Sequence, residues 1–506
     1  MMPKIRILIF IIIACFTIFS AAGISADDTK VYIAEIIFNR QPIFKNDTDI
    51  KKMHKLINHL HITTKPSAIK KDLLFDIGDR LDIEKLNQSE RNLRSRKYFF
   101  DANINFNYIT DTSVKVIINT QDQWTTTLGI KYYKDERGKS SVKLILKEHN
   151  LLGLGKELKI KKDILNINDN NQDLEYVDDN FLGMKNMVLM GAYSETPYSL
   201  SKKLKLGRKC ASDFDKYSYY INSIKNESLT AIDVINDNYI EAYISNGRLV
   251  DRIELSLRAH SFSNDYKNKL LKFNYISAGV NYSSYKYIKT KGLFKYGQTE
   301  DIKLGYQIGA GVKLINKILG ANINGYGWEA NFKHSYNNNR DFIFQNYNFD
   351  YYYLNDFSNN HLDFKIEYLH LYTENFKFMN KLAFEKRHTY KDELVYALGE
   401  NKGLRGYKSM LLEGNKFLLL NSELQYIFKK ELLKFMYSGI NIFYDAGRTY
   451  NQGEQVKLNK FYHNVGLSFR LILYRSSSFE EFNFAIVMPF KNKYSPFFSF
   501  QTNIDF

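Results

Sequence analysis

The sequence predicts a mainly β protein in which an antiparallel transmembrane β-barrel follows one small α+β domain. Composition is the first observation: 38 Tyr and 37 Phe occur in a chain of 506 residues that is still 25% charged. Many aromatic residues in a hydrophilic chain are typical of β structure with one apolar and one wet face. The other two observations are an alternating pattern after about residue 128 and a mixed helix and strand pattern before it.

The same composition excludes other classes of protein. Only 6 Pro and 27 Gly accompany 44% hydrophobic residues, which excludes an intrinsically disordered chain. The mean hydropathy of −0.39 excludes a bundle of transmembrane helices. The net charge is +16, but Lys and Arg are dispersed, so we expect no nucleic-acid partner. Basic residues facing anionic lipid headgroups, or a Lys-, Asn- and Ile-rich coding bias, account for the charge.

The N-terminus predicts export. Lys4 and Arg6 precede an apolar run over residues 7–19, and small residues then lead into Asp27. This order is typical of a cleavable secretory signal, to which we assign residues 1–26. A membrane anchor is the alternative, although the apolar run is shorter than the ~20 residues that span a bilayer as a helix. Only one cysteine follows the signal, which allows no intrachain disulfide.

Residues 27–128 predict the small α+β domain. A β-branched, apolar run over residues 31–38 begins it, and apolar residues then recur at helical spacing. Asp82 is the N-cap of the clearest predicted helix. The domain ends with two predicted strands, over residues 102–109 and 113–119.

Residues 129–506 predict the barrel. Apolar and polar residues alternate there, as at the end of the chain, where Phe498 and Phe500 share one face and Ser499 lies on the other. A soluble sandwich also alternates, but 378 residues without a domain break far exceed the ~100 of an immunoglobulin-like sandwich. A tilted membrane strand needs only ~9 to 11 residues.

Catalytic signatures are scarce. The sequence contains no G-x-S-x-G, H-E-x-x-H or P-loop pattern. A G-x-G-x-x-A match that begins at Gly325 lies in a segment that alternates like a strand and opens no helix. We therefore expect no enzyme activity, no cofactor and no metal site.

Two segments near the C-terminus predict a charged contact inside the barrel. The segment Gly403-Leu404-Arg405-Gly406-Tyr407 lies between strand-like runs, and Arg405 offers a fixed fork of donors. In a later strand the alternation directs Phe443 and Asp445 into the lumen and Tyr444 outward. A loop arginine and a lumenal carboxylate can pair there. The alternative is that both charges are solvated.

Taken together, these segments resemble the BamA/TamA superfamily of outer-membrane proteins, the bacterial surface antigen family. Its [V/L/I]-R-G-[Y/F] loop motif matches Leu404, Arg405, Gly406 and Tyr407. Its F-x-D-x-G strand matches Phe443, Asp445 and Gly447. Three further segments match in the family's order: Leu74-Phe75-Asp76-Ile77-Gly78-Asp79, Asn150-Leu151-Leu152-Gly153-Leu154-Gly155 and Gly466-Leu467-Ser468-Phe469-Arg470.

The resemblance implies a periplasmic POTRA domain over residues 27–128 and a 16-stranded barrel over residues 129–506, at ~24 residues a strand. It implies that the loop folds back into the lumen, where Arg405 meets Asp445. Phe506 is then the terminal aromatic residue that outer-membrane barrels present to the assembly machinery. Members dedicated to barrel assembly usually have several POTRA domains, whereas this chain has room for one.

The implied function is insertion or translocation of polypeptides at the bacterial outer membrane. The POTRA strands would capture extended clients by β-augmentation, and the barrel seam or lumen would pass them. Expected partners are unfolded outer-membrane or secreted polypeptides, outer-membrane lipid and periplasmic accessory proteins. A two-partner-type exporter of one dedicated secreted passenger is the alternative. A passive outer-membrane pore is a further alternative.

Overall fold

The fold is that of a computed structural model. It describes residues 31–44, 52–134, 140–163, 171–196, 199–210, 212, 214–228, 233–245, 251–266, 269–354, 357–388, 396–399, 402–407, 411–451, 453–477, 481–491 and 495–502. The predicted signal peptide over residues 1–26 and the terminal Phe506 lie outside these described residues.

The N-terminal domain combines one sheet with three helices. Its elements are β1 (Tyr32–Gln41), α1 (Lys52–Leu60), α2 (Pro66–Lys70), α3 (Ile83–Arg94), β2 (Phe99–Thr110) and β3 (Ser113–Asp122). The sheet has the order β1-β3-β2, with β1 parallel and β2 antiparallel to β3. The chain order of strand, helices, strand and strand is the one that the sequence predicts. Among the helices that the structure describes, none has the length and apolarity to cross a bilayer.

Local sequence explains where the helices begin and which face they bury. Asp82 caps α3, because its Oδ1 accepts the backbone N–H groups of Glu84 and Lys85 at 2.9 and 3.1 Å. Pro66 opens α2, where a missing N–H has no partner to lose. The central strand β3 turns every second residue toward the helices. The resulting core contains Ile69, Leu86, Leu93, Phe99, Val114, Val116 and Ile118.

From residue 126 onward the chain forms one antiparallel sheet that curls into a barrel, and the strand order returns from the last strand to the first. A short hairpin of β19 (Tyr396–Leu398) and β20 (Leu412–Gly414) lies outside this sheet. The barrel strands are β4 (Thr126–Lys134), β5 (Ser140–Glu148), β6 (Glu157–Asp163), β7 (Gln172–Asp178), β8 (Met187–Thr196), β9 (Ser199–Arg208), β10 (Tyr217–Ser228), β11 (Asp233–Ser245), β12 (Arg252–Tyr266), β13 (Lys269–Lys291), β14 (Thr299–Ile315), β15 (Gly325–Asn338), β16 (Asp341–Leu354), β17 (Phe357–Thr373), β18 (Phe376–His388), β21 (Lys416–Ile427), β22 (Tyr437–Tyr450), β23 (Tyr462–Ile472), β24 (Glu481–Pro489) and β25 (Phe497–Thr502).

Within the described residues the barrel therefore has twenty strands, and the predicted count of sixteen is too low. The count of sixteen is what the resemblance implies, and it corresponds to ~24 residues for each strand. Strands β4 to β9 are only seven to ten residues long, so this part of the wall uses fewer residues for each strand than the assumed average. Strand β13, by contrast, has 23 residues.

The barrel wall is apolar outside and polar inside, as β22 shows. Ile440 and Ile442 are exposed on the outside, whereas Asn441 and Asp445 are buried inside. The exposed fraction falls from 55% at Ile442 to 1% at Asn441, one residue away. An outer surface of this kind is what a barrel presents to hydrocarbon.

Candidate functional site in the barrel lumen

The first part of the site is the loop between β18 and β21, whose described residues 402–407 we call the arginine loop. It returns from the β19–β20 hairpin into the barrel, where Leu404 and Tyr407 are fully buried. Both pack in one cluster with Leu419 of β21. The Tyr407 hydroxyl donates to the backbone oxygen of His463 at 2.7 Å, which ties the loop to β23.

Arg405 makes the central contacts of this loop. Its Nη2 and Nε donate to Oδ1 and Oδ2 of Asp445 at 2.7 and 2.9 Å, and its backbone N–H donates to Oδ2 at 3.2 Å. Its Nη1 donates to Glu423 Oε2 at 3.0 Å, and the guanidinium lies 3.7 Å from the centroid of the Phe443 ring. All these side chains are buried. The structure thus brings together the arginine and the aspartate that the sequence singles out, in a bidentate pair shielded from water.

Small residues let the arginine loop approach the wall. Gly403 has a φ of +87°, and a Cβ there would lie 2.7 Å from Cδ2 of Leu419. A Cβ on Gly406 would lie 2.6 Å from the Cβ of Asn464. Gly447 lies on β22, where a Cβ would be 3.0 Å from Cδ1 of Leu419. Gly403 and Gly406 therefore occupy places where loop and wall are too close for larger residues, whereas Gly447 lies close to the neighbouring strand of the wall.

A chain of buried charges continues from Arg405 along the lumenal face. Glu423, which accepts from Arg405, lies 2.6 Å from Nη2 of Arg470 on β23. Arg470 Nε lies 2.8 Å from Oε1 of Glu481 on β24. Arg470 lies in one of the segments that the sequence singles out, whereas neither glutamate does. The alternation of Asn421, Glu423 and Gln425 on the inward face of β21 is the signal that could have found the first.

The second part of the site is the turn between β13 and β14, residues 292–298, which we call the inner turn. It enters the lumen from the opposite end of the barrel. Leu293 is fully buried in a cluster with Ile302, Leu304, Phe342, Leu369 and Met379, which lie on β14, β16, β17 and β18. Tyr296 reaches further round, to Ile427, Ile472 and Tyr474 beside β21 and β23. The inner turn thus crosses from one side of the barrel mouth toward the other.

Polar contacts fix the backbone of the inner turn. The Glu300 carboxylate accepts the N–H groups of Leu293 and Phe294 at 2.8 and 3.0 Å. Lys377 Nζ donates to the Leu293 oxygen at 2.5 Å, and the Tyr296 hydroxyl donates to Gln425 Oε1 at 2.5 Å. The sequence does not predict this turn, because apolar and aromatic residues in a turn look like the end of a strand.

The N-terminal domain is attached to the same end of the barrel. On one side, Nε of Arg94 in α3 donates to Asp301 Oδ2 of β14 at 2.7 Å, and Lys289 Nζ donates to Glu90 Oε1 at 2.5 Å. Further contacts hold the domain elsewhere on this rim: Asn150 Nδ2 to Thr64 Oγ1 at 2.8 Å, His54 Nε2 with Leu433 O at 2.8 Å, and Asp179 with both Arg96 and Lys209. The domain therefore contacts the turns after β5, β7 and β21 as well as β13 and β14.

Two carboxylates at this attachment have perturbed pKa values. Burial alone would raise the pKa of Asp179, but Lys209 and Arg96 outweigh it and lower the pKa below its usual value. Burial of Glu90 is likewise outweighed, by Lys289, the Ile104 N–H and Arg94, so its pKa is also lowered. Both groups are therefore held in the charged form.

Comparison with known proteins gives structural similarity only. No family model matches the chain. No curated protein matches it either. Solved structures do resemble it, and three of them have 10 to 12% identity. For CdiB from Acinetobacter baumannii the identity is 10%, the similarity covers 94% of this chain and 74% of that chain, and the TM-score is 0.39.

The other two are similar in extent. CdiB from Escherichia coli has 12% identity over 96% of this chain and 80% of that chain, with a TM-score of 0.44. BamA from Haemophilus ducreyi, in a crystal structure that lacks POTRA domains 1–3, has 12% identity over 94% of this chain and 85% of that chain, with a TM-score of 0.38.

Proposed function

We propose that this protein inserts or translocates polypeptides at a bacterial outer membrane and that it does so without a catalytic step. The observation that carries the proposal is a barrel with an apolar outer face whose lumen is occupied from both ends, by the arginine loop and by the inner turn. A passive pore needs an open lumen, and two packed segments that enter it disfavour that function.

In this proposal the N-terminal domain is a periplasmic POTRA domain that captures client strands. The β1 edge is partly covered, since Ile33 N donates to Asp79 O at 2.9 Å and Gly78 N donates to Ile33 O at 2.8 Å. The other edge strand, β2, has exposed Tyr108 and Ile109 at the end away from the barrel. An extended client can add a strand there through sequence-tolerant backbone hydrogen bonds.

Site-specific photo-crosslinking in cells tests this proposal. A photoreactive residue at Tyr108 or Ile109 should trap outer-membrane or secreted precursors, whereas one at Ile83, an exposed residue of α3, should not. Depletion of the protein then distinguishes insertion of many proteins from export of one passenger. Loss of many barrel proteins indicates insertion, and loss of one secreted passenger indicates dedicated export. A steady conductance with no trapped client would overturn the proposal in favour of a pore.

A further inference from the structure

Three leucines at the domain end of the barrel are exposed and have a left-handed backbone. Leu152, Leu182 and Leu433 have φ values of 56°, 55° and 55°, a conformation that bulky residues rarely adopt. They lie in the turns after β5, β7 and β21. At least half of each side chain is exposed, and Leu182 is 76% exposed. Strained turns that direct an apolar side chain outward at three separate places indicate a partner for those side chains.

Two of these turns share sequence and shape. Asn150-Leu151-Leu152-Gly153 and Asn180-Phe181-Leu182-Gly183 each form a 3-10 turn, with φ of −144° and −137° at the asparagine. Packing against the N-terminal domain constrains the first turn, because a Cβ on Gly153 would lie 2.9 Å from Thr63 O. A Cβ on Gly183 would meet no atom within 4 Å. The same left-handed leucine therefore recurs in a turn whose glycine does not pack against the domain.

Helix α1 extends this apolar surface. Leu56 and Leu60 lie one helical turn apart, and more than half of each side chain is exposed. On the opposite face His54 is buried, and its Nε2 lies 2.8 Å from Leu433 O, which fixes the helix against one of the leucine turns. Exposed lysines lie near these leucines in the chain: Lys52 and Lys55 on the helix, and Lys429, Lys430 and Lys434 in the turn that contains Leu433.

The other end of α1 leads to a second leucine turn. Thr64 follows the helix and accepts from Asn150 Nδ2 at 2.8 Å, and Lys65 N donates to Gly153 O at 2.9 Å. Ile62, between helix and turn, is about half exposed. The helix thus bridges the turns after β21 and β5, and the stretch of rim between them carries the first and last strands of the barrel.

We propose that Leu56, Leu60, Leu152, Leu182 and Leu433 form one surface that contacts the lipid leaflet on the domain side, with the lysines at anionic headgroups. This inference rests on the proposed membrane location. Leucines paired with lysines on a short amphipathic helix suit the boundary between headgroups and acyl chains. The surface is also continuous with the apolar outer band, because each leucine turn joins two strands of the barrel wall.

Spin labelling of the full chain in phosphatidylethanolamine/phosphatidylglycerol liposomes tests the inference. Cys210 is replaced by serine, because it is exposed and would also be labelled. Single cysteines are then introduced as Leu56→Cys and Leu182→Cys, each carries a nitroxide, and collision with oxygen and with a water-soluble nickel chelate is compared. Two matched controls are Ile442→Cys on the outer wall and Ile109→Cys at the distal end of β2, both about half exposed.

We expect labels at positions 56 and 182 to favour oxygen over the nickel chelate several-fold more than the label at position 109, and to lie nearer the headgroups than the label at position 442. If the labels at positions 56 and 182 are as exposed to water as the label at position 109, while the label at position 442 lies in lipid, the inference is wrong but the membrane location stands. Water exposure at position 442 as well would overturn the membrane location and the inference together.

Discussion

The arginine loop and the inner turn enter the lumen from opposite ends, but different forces hold them. The arginine loop depends on a buried guanidinium that meets Asp445 and Glu423, and on glycines that allow close approach. The inner turn depends on the buried Leu293 and on Tyr296, with polar groups that only cap its backbone. The difference teaches that one segment is sensitive to a change of charge and the other to a loss of apolar volume.

The largest effect is expected from Arg405→Ala. Removal of the guanidinium leaves the buried Asp445 carboxylate without its cation, whereas Glu423 keeps its contact with Arg470. Loss of one partner of a buried ion pair costs about 3–5 kcal/mol. We expect the arginine loop to leave the lumen, so that it becomes sensitive to protease and the heat-modifiable gel band changes, while export of the protein continues and its function is impaired.

Arg448→Ala is the matched control, because Arg448 pairs with Glu454 in a partly exposed position. It should change neither the gel band nor the cleavage. Wild-type activity of Arg405→Ala with an unchanged gel band would contradict a role for the arginine loop.

The next largest effect is expected from Leu293→Ala. Leu293 is fully buried, and truncation of such a leucine costs about 2–5 kcal/mol. The inner turn should loosen at the domain end while the arginine loop stays in place, so channel conductance should rise without new cleavage in residues 402–407. Phe294→Ala is the control, because the neighbouring Phe294 is 46% exposed whereas Leu293 is fully buried. Equal conductance of Leu293→Ala and Phe294→Ala would show that buried apolar volume does not hold the inner turn, and the contrast with the arginine loop would be wrong.

Acid should weaken the attachment of the N-terminal domain through Asp179. The pKa of Asp179 is lowered below its usual 3.8, so its stabilising contribution is complete above that value and is lost as the pH falls through the lower folded value. We expect pepsin to cut the buried linker near Gln123 and Thr125 only in strongly acid solution. Asp179→Asn should be cut at higher pH than the wild type. Cleavage with the same pH dependence in both proteins would show that Asp179 does not hold the domain.

The smallest effect is expected from Tyr296→Phe. This change removes one hydrogen bond, to Gln425 Oε1, and keeps the ring in its apolar cluster, so the free energy of unfolding should fall by only about 1 kcal/mol. Tyr296→Ala should lower the free energy of unfolding several times more than Tyr296→Phe, as measured by thermal unfolding in detergent. Equal losses for the two variants would mean that the hydrogen bond, rather than burial, holds the inner turn.

The sequence predicted the parts of this molecule that follow local rules. Alternation along β22 predicts Asp445 inside the barrel and Ile442 outside it. Asp82 is predictable as an N-cap because an aspartate just before a helical pattern is enough to predict one. The contact of Arg405 with Asp445 was found because both residues lie in recognisable segments. The strand count was not found, because it depends on how long each hairpin is, which no local pattern sets.

Contacts between distant segments were also beyond the sequence. Arg96 and Asp179 form an ion pair although they are 83 residues apart in the sequence. No motif next to either residue predicts the pair. The inner turn was missed for a related reason. Leu293 and Tyr296 are buried only because strands from half of the barrel surround them, so their environment depends on how distant strands are arranged.

The attachments of the N-terminal domain have a mechanical consequence. A rigid body held along one edge can swing about that edge, but this domain is held at Asp301, at Asn150 and at Leu433, which belong to three separate parts of the rim. Such a body has no free axis of rotation. A pull on a strand bound at its distal edge would therefore load the barrel wall itself, as torque and shear between strands, before the domain could tilt away.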